Sequence, residues 1–253
     1  MKHEIYKRNF LDRVIFRIDF VNSFNVDEFI EKNLVKLKKI YPLYSPIPIK
    51  HNNIKINLNK VKGGTVEQES IQQTKQQFFN KENTARMEIT SKSLIISYKK
   101  YNNFQELFSD IKAVLEIIKS NVNLIVGRTG LRYVNIFQNN DLEPIDWTKY
   151  IKETLISKEN WNDYNILQSM SVVHLKNDDA LIKVQYGLFN GDMPNDRVKD
   201  CFILDIDACS FEVSELEKIE SQVEKWNQYI RNIFEATITK EMKQVLNNEQ
   251  HRL

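Results

Sequence analysis

Three stretches of the chain alternate apolar and polar residues, and this alternation constrains the fold more than any other feature. In residues 14–20, V-I-F-R-I-D-F, every second residue is large and apolar. A period of two sends alternate side chains to opposite faces of a strand, so one face is buried and the other is solvated. Residues 130–137, G-L-R-Y-V-N-I-F, and residues 201–208, C-F-I-L-D-I-D-A, repeat the pattern. The sequence therefore predicts strands that are buried on one face only.

Amphipathic helices are predicted between these strands. Apolar residues recur at spacings of three and four over 26–40, 104–120 and 213–246, which is typical of helices that bury one face. Ser214 and Glu217 fit a capping box at the start of the last helix. A kink is expected near 236–239, where β-branched residues cluster.

Shorter elements complete the prediction. Residues 147–157 are expected to form a short helix. Residues 41–50 hold three prolines and are expected to form an extended connector. Two hairpins are expected, one joining 87–89 to 94–98 and one joining 170–175 to 180–189.

These elements together predict an α+β fold. Strands and helices do not alternate regularly, so a doubly wound parallel sheet is not expected. We predict mostly antiparallel sheets covered by amphipathic helices, with two similar-sized halves and a long C-terminal helix. Residues 1–140 form the first half. Residues 141–253 form the second, with a strand hairpin and the long helix.

The first and the second part of the chain also differ in net charge. The first 100 residues hold 19 lysines and arginines against 10 acidic residues, a net charge of +9, and the remainder holds 17 against 24, a net charge of −7. The basic first part and the acidic second part could attract each other, or partners of opposite sign, although such runs are usually solvated faces.

Membrane insertion and disulfide bonding are not expected. No run approaches the ~18–20 apolar residues that span a bilayer, and residues 1–20 alternate charged and apolar residues, unlike a signal peptide. Cys201 and Cys209, if they share a strand, lie roughly 26 Å apart at ~3.3 Å per residue and cannot pair with each other. A cytoplasmic protein is expected.

The sequence contains no standard catalytic, metal or cofactor motif. The four histidines are scattered, no histidine–cysteine group has zinc spacing, and the glycines form neither a P-loop nor a dinucleotide-binding turn. No nucleophile lies in a G-x-S-x-G context. We therefore predict no cofactor, no bound metal and no recognisable catalytic residue.

Four stretches carry a family resemblance. They are V-I-F-R-I-D-F, Y-N-N-F-Q-E-L-F at 101–108, G-L-R-Y-V-N at 130–135, and the later pair I-L-D-I-D and I-F-E-A-T-I-T at 233–239. Through these stretches, which occur in the expected order, the chain resembles an uncharacterised, sporadically distributed prokaryotic family of similar length. The resemblance implies no reaction or cofactor. Sporadic distribution suggests a defence or toxin–antitoxin setting.

The first candidate site combines residues from two of the alternating strands. Asp205 and Asp207 share one strand face, so both carboxylates could hold Mg²⁺, or they could simply be solvated. Arg132 could clamp a phosphate or carboxylate, or pair with one of these aspartates across adjacent strands, and we favour the ion pair. The candidate ligand or ion-pair residues are Arg128, Arg132, Tyr133, Asn135, Asp205 and Asp207.

Two further surfaces are candidates for binding. Lysines and nearby aromatic rings in the first part could contact nucleic acid, since lysines neutralise phosphates and rings stack on bases. The lysines are Lys36, Lys38, Lys39, Lys50, Lys55, Lys60 and Lys62. The apolar stripe of the last helix could dock a partner or pack on the chain's own sheet. Its interface candidates are Trp226, Tyr229, Phe234 and Met242.

Three hypotheses of function follow. The one we favour is a non-catalytic binding or regulatory subunit that recognises a partner protein. A nucleic-acid-binding accessory protein is the first alternative, and a metal-dependent nuclease or hydrolase that uses Asp205 and Asp207 is the second. The sequence leaves a homodimer open.

Overall fold

The computed structural model describes residues 6–57, 65–138, 146–156, 166–177, 179–191, 193 and 201–248. For residues 49–57 and 65–73 it describes the backbone alone. Lys60 and Lys62, two of the nucleic-acid candidates, lie outside the described residues.

Ten strands and four helices form the described part of the chain. The strands are β1 (Leu11–Phe20), β2 (Leu43–Asn57), β3 (Thr65–Phe79), β4 (Ala85–Thr90), β5 (Ser93–Tyr98), β6 (Ile125–Gln138), β7 (Ser169–Asn177), β8 (Ala180–Phe189), β9 (Cys201–Ser210) and β10 (Ser214–Glu215). The helices are α1 (Val26–Ile40), α2 (Phe104–Lys119), α3 (Ile219–Thr237) and α4 (Lys240–Asn247). The α+β prediction is confirmed.

All ten strands belong to one antiparallel sheet. Its order is β2-β3-β4-β5-β1-β6-β9-β8-β7, and the short β10 pairs with β6 at one end. The central strands β1, β6 and β9 contain the three alternating stretches of the sequence. The two predicted halves therefore share a sheet, because β6 of the first pairs with β9 of the second. The predicted boundary falls in residues 139–145, which lie outside the described ranges.

The helices cover one face of this sheet and enclose the core. The apolar set of β1, which includes Phe16 and Ile18, is fully buried, and so are Ile111 of α2 and Val223 of α3. Asn25 caps α1 and Asn103 caps α2, each accepting a bond from a first-turn amide. The opposite face of the sheet carries no helix in the described part of the chain.

The proline-rich stretch is a strand, which corrects the predicted connector. Pro46 and Pro48 lie in β2, at the end of the sheet order, opposite Gln76 and Thr74 of β3. Proline lacks a donor N–H, and an edge strand tolerates this because one of its sides has no neighbouring strand.

The predicted C-terminal helix from 213 to 246 begins later and is broken. The predicted capping box of Ser214 and Glu217 does not form, because Ser214 lies in β10 and Glu217 lies in the 3₁₀ turn that follows it. Helix α3 begins at Ile219 without a side-chain cap. The break at Ile238 falls in the predicted kink, and Thr239 caps α4 through its side-chain oxygen. The short helix predicted over 147–157 is two 3₁₀ turns, Trp147–Lys149 and Glu153–Leu155.

None of the helices described is both long enough and apolar enough to cross a membrane. Both cysteines are free. Both lie on β9, which is the arrangement under which the sequence predicted that they cannot pair with each other.

Candidate functional site

Strand β6 separates the predicted site residues onto the two faces of the sheet. Arg128 and Arg132 lie on the face without helices, whereas Tyr133 and Asn135 lie beneath the helices, where both are buried. The alternation of a strand imposes this split. The single site suggested by the sequence is therefore two sites, one on each face. We call the helix-free face of β1, β6, β8 and β9 the open face.

The strongest contact on the open face joins Arg132 to Asp205. Arg132 Nε donates to Asp205 Oδ1 at 2.8 Å and Nη2 donates to Oδ2 at 2.6 Å, a bidentate pair between neighbouring strands. Hydrogen bonding to Asp205 raises the pKa of Arg132 above its usual value. Asp205 is buried, while the Arg132 side chain is 43% exposed. The ion pair favoured from the sequence is present.

Arg128 lies between two carboxylates on the same face. Its guanidinium nitrogens are 3.7 Å from Asp19 of β1 and 3.8 Å from Asp207 of β9. Gly130 leaves room for this arrangement, because a Cβ there would lie 3.3 Å from Arg128 Nη2. Burial raises the pKa of the Asp207 carboxyl, and Arg128 opposes that rise.

These pairs do not favour a metal site. Asp205 is engaged by Arg132, and Asp207 is flanked by Arg128. Within the described ranges, no group of three or more histidine, cysteine or acidic side chains could hold a metal ion. Mg²⁺ requires carboxylates that are not neutralised by cations, so this geometry gives no support to the metal-dependent hypothesis.

The open face also carries apolar side chains and a surplus of positive charge. Ile15, Val134, Ile136 and Ile203 are partly buried between the charged residues. Among the described residues of β1, β6, β8 and β9, five cations and three carboxylates lie on this face. They are Arg13, Arg17, Arg128, Arg132 and Lys183, with Asp19, Asp205 and Asp207.

The other predicted surfaces lie away from the open face. Lys36, Lys38 and Lys39 are exposed on α1, with Lys38 6.0 Å from the Tyr44 ring centroid. Lys50 and Lys55 lie on β2, where only the backbone is described.

The apolar stripe of the last helix packs mostly on the chain itself. Trp226 and Met242 are fully buried, which corrects their assignment as partner contacts. Phe234 stacks on Phe137 of β6, and Tyr229 donates to Asp179 at 3.1 Å. The sheet already removes these apolar side chains from water, so they do not need a partner protein to bury them.

The second site is a cavity of about 240 Å³ beneath the helices. The Tyr101 and Tyr133 hydroxyls are 2.8 Å apart, and Tyr133 donates to Asn227 Oδ1 at 2.9 Å. Arg231 of α3 also lines the cavity. Sequence reasoning found Tyr133 and Asn135, which both line the cavity, and missed Tyr101, Asn227 and Arg231. The available signal was a polar Asn227 inside the apolar stripe of α3.

Burial of these tyrosines predicts a loss of stability at alkaline pH. Burial raises the pKa of Tyr101 to about 12, and burial also holds the pKa of Tyr133 well above 10. The folded state therefore retains protons that the unfolded chain loses near pH 10. The stabilisation that these protonated tyrosines give to the folded state is complete below pH 10 and falls as pH rises toward 12. Urea unfolding at pH 8, 10 and 11 measures it, and Tyr101→Phe should flatten the dependence. A curve unchanged by Tyr101→Phe would contradict this prediction.

No family model matches the chain, and no curated protein matches it. The class of protein is thus defined by its own fold and sites: an α+β protein with a single antiparallel sheet, helices on one face, and an open face with paired charges on the other.

Proposed function

We propose that the protein is a non-catalytic binding or regulatory subunit that recognises a partner protein through the open face. The observation that carries this proposal is the ordered set of cross-strand ion pairs on a sheet face without helices. Side chains already held in pairs lose little freedom on binding, which lowers the entropic cost of an interface.

The composition of the open face supports a protein partner. Partly buried isoleucine and valine side chains alternate with charged groups, and protein interfaces combine apolar centres with polar rims. The surplus of two positive charges favours an acidic partner surface, because complementary charge speeds association. The family resemblance favours a partner in a defence or toxin–antitoxin system.

Charge reversal on the open face tests this proposal. The tagged protein is purified with the products of the genes that flank its own, and association with each is measured against salt. Arg13 and Arg17 are exposed on β1, so the double variant R13E/R17E should slow association roughly tenfold while the fold is retained. The matched control is K36E/K38E/K39E on α1, which should bind as the wild type does.

The control variant also tests the nucleic-acid alternative. Salt-sensitive binding of single-stranded DNA or RNA that is lost in K36E/K38E/K39E and retained in R13E/R17E would favour that alternative. Equal partner binding by the wild type and R13E/R17E would refute the role of the open face.

A further inference from the structure

A small pocket lies beside the open face, where strands β3, β4, β5 and β1 are neighbours. Arg86 of β4 is opposite both Phe79 of β3 and Ser97 of β5, and Ser97 is in turn opposite Ile15 of β1. Residues directly opposite each other point to the same side of a sheet, and Ile15 belongs to the open face. The pocket that Phe79, Arg86 and Ser97 line therefore lies on the side without helices, and its volume is about 220 Å³.

The pocket is lined by three cations and by no acidic residue. The cations are Arg13 of β1, Arg86 of β4 and Lys99, which follows β5. Arg13 and Lys99 are exposed, and in the part of the chain that the structure describes neither side chain forms an ion pair or a hydrogen bond. Both of these positive charges are therefore available to a ligand.

The third cation is engaged with a carboxylate outside the pocket. Arg86 Nε lies 3.0 Å from Glu88, and Lys75 lies 3.3 Å from the same carboxylate. Two cations thus face one anion, and this group of three keeps a net positive charge. Glu88 therefore does not neutralise the pocket.

Ser97 supplies a hydrogen-bond donor that the protein does not use. This residue lines the pocket and is only 8% exposed, and its hydroxyl has no hydrogen-bond partner among the described residues. A hydroxyl that is removed from water without a partner costs free energy. An acceptor oxygen of a ligand in the pocket would remove that cost.

The turn between β3 and β4 adds a second donor and a fixed wall. Asn80 Oδ1 accepts from the amides of Thr84 and Ala85 at 2.8 and 3.0 Å, and Asn80 Nδ2 donates to Thr84 Oγ1 at 2.9 Å. Thr84 Oγ1 is the acceptor in this bond, so its own proton is left to donate to a ligand oxygen. A wall that is already ordered loses little freedom when a ligand binds.

We propose that this pocket binds the phosphate group of a small phosphate monoester, with the phosphate beside Arg13, Lys99 and Ser97 and the organic group against the Phe79 ring. A phosphate monoester carries a charge of about −1.5 to −2 at pH 7 and has three terminal acceptor oxygens, which match two available cations and two hydroxyl donors. A carboxylate carries one charge and would leave one of the cations unmatched.

The size of the pocket limits the organic group of the ester. A volume of about 220 Å³ is below the ~300–1,000 Å³ of sites for drug-sized ligands, so the pocket suits a phosphate with one ring or a short chain. The pocket shares Arg13 with the open face, whereas Lys99 and Ser97 lie outside it. Binding of an ester therefore goes beyond the proposed function and does not depend on a partner protein.

Two probe molecules of the same shape test the site in the intact protein. Phenyl phosphate and phenyl sulfate are titrated by calorimetry at about 0.15 M salt, where distant charges are screened. Phenyl phosphate should bind with a dissociation constant of about 1 mM or tighter, and phenyl sulfate, which carries one charge, should bind roughly tenfold more weakly.

A third probe identifies the source of the phosphate group. A short peptide with one phosphotyrosine is titrated beside phenyl phosphate. Binding of the peptide that is at least about tenfold tighter would assign the pocket to a phosphorylated side chain of a protein. Equal or weaker binding of the peptide would assign it to a free phosphate ester.

Two variants and a matched control locate the binding. Lys99→Gln should weaken binding of phenyl phosphate roughly tenfold, since it removes a charged donor. Ser97→Ala should weaken it at least about threefold and leave the melting temperature of the unliganded protein within a few degrees, because the hydroxyl has no partner in the described structure. Lys100→Gln makes the same charge change at an exposed neighbour that does not line the pocket, and should bind as the wild type does.

Four results would each overturn the proposal: no binding of phenyl phosphate at about 10 mM, equal binding of phenyl sulfate, unchanged affinity in Lys99→Gln, or equal weakening by Lys100→Gln. The same Lys99→Gln variant should associate with a partner protein as the wild type does, because Lys99 is not part of the open face. Failure of the phosphate site and failure of the proposed function are therefore separate results.

Discussion

Replacing Trp226 by alanine is expected to lower the free energy of unfolding by about 3–5 kcal/mol, the usual cost of removing a large buried aromatic ring. Trp226 lies on α3 and is completely buried against the sheet. Urea unfolding followed by circular dichroism measures the change. Because the side chain is inside the core, the loss of stability should not depend on any partner.

A phenylalanine at the same position separates packing from hydrogen bonding. The Nε1 atom of Trp226 is buried with no hydrogen-bond acceptor in the described structure. Trp226→Phe therefore removes an unsatisfied donor as well as some volume, and should cost less than about half of the alanine change. Val35→Ala on the exposed side of α1 is the surface control and should stay within ~0.5 kcal/mol.

A stable Trp226→Ala variant that has lost its partner would support the interface role that the sequence suggested. A destabilised variant would confirm that the apolar stripe of α3 belongs to the core. Stability is unchanged in the first outcome and lowered in the second, so a single unfolding series decides between them.

Replacing Arg132 by methionine is expected to cost about 2–4 kcal/mol, because Asp205 would remain buried without its cation. The expected cost is below that of a fully buried pair, since the Arg132 side chain is 43% exposed and water can approach it. Chemical unfolding at neutral pH measures the change.

A second substitution and a matched pair make this experiment specific. The double variant R132M/D205L removes both charges and should recover most of the lost stability. Arg17→Met breaks an exposed pair with Asp19 on the same face and should cost no more than about 1 kcal/mol. If Arg132→Met and Arg17→Met lower the free energy of unfolding by the same amount, the burial of Asp205 does not add to the cost of removing its cation.

Most of the strands and the first two helices could be predicted from local patterns. Helix α1 begins and ends where the spacing of its apolar residues indicated, and the hairpin of β4 and β5 turns where it was expected. The pairing of Arg132 with an aspartate of β9 was also favoured from the sequence, because both lie on the polar faces of alternating strands.

Other features escaped prediction for identifiable reasons. Proline-containing β2 is a strand because it lies at the edge, and no local pattern records which strand is an edge. Ser214 and Glu217 satisfy the spacing of a capping box, yet Ser214 pairs with β6 as part of β10, because the ladder of the sheet satisfies backbone groups that the box would have capped.

The cavity is the clearest case of a site that local patterns did not reveal. Tyr101, Tyr133 and Asn227 come from three separate elements, and nothing in their own neighbourhoods marks them as partners. Tyr133 and Arg132 were both candidates, and the alternation of the strand placed them on opposite faces.

The sequence by itself determined which residues share a face of each strand and helix, because that depends on the periodicity of the backbone alone. It also determined that β1 and β9 each have one apolar face and one face that carries charged residues. Only the tertiary structure decided that these strands are neighbours, that the helices all cover the same face, and that Tyr133 meets Tyr101 and Asn227. Those choices depend on which long-range contacts bury the most apolar surface, and no short stretch of sequence contains that information.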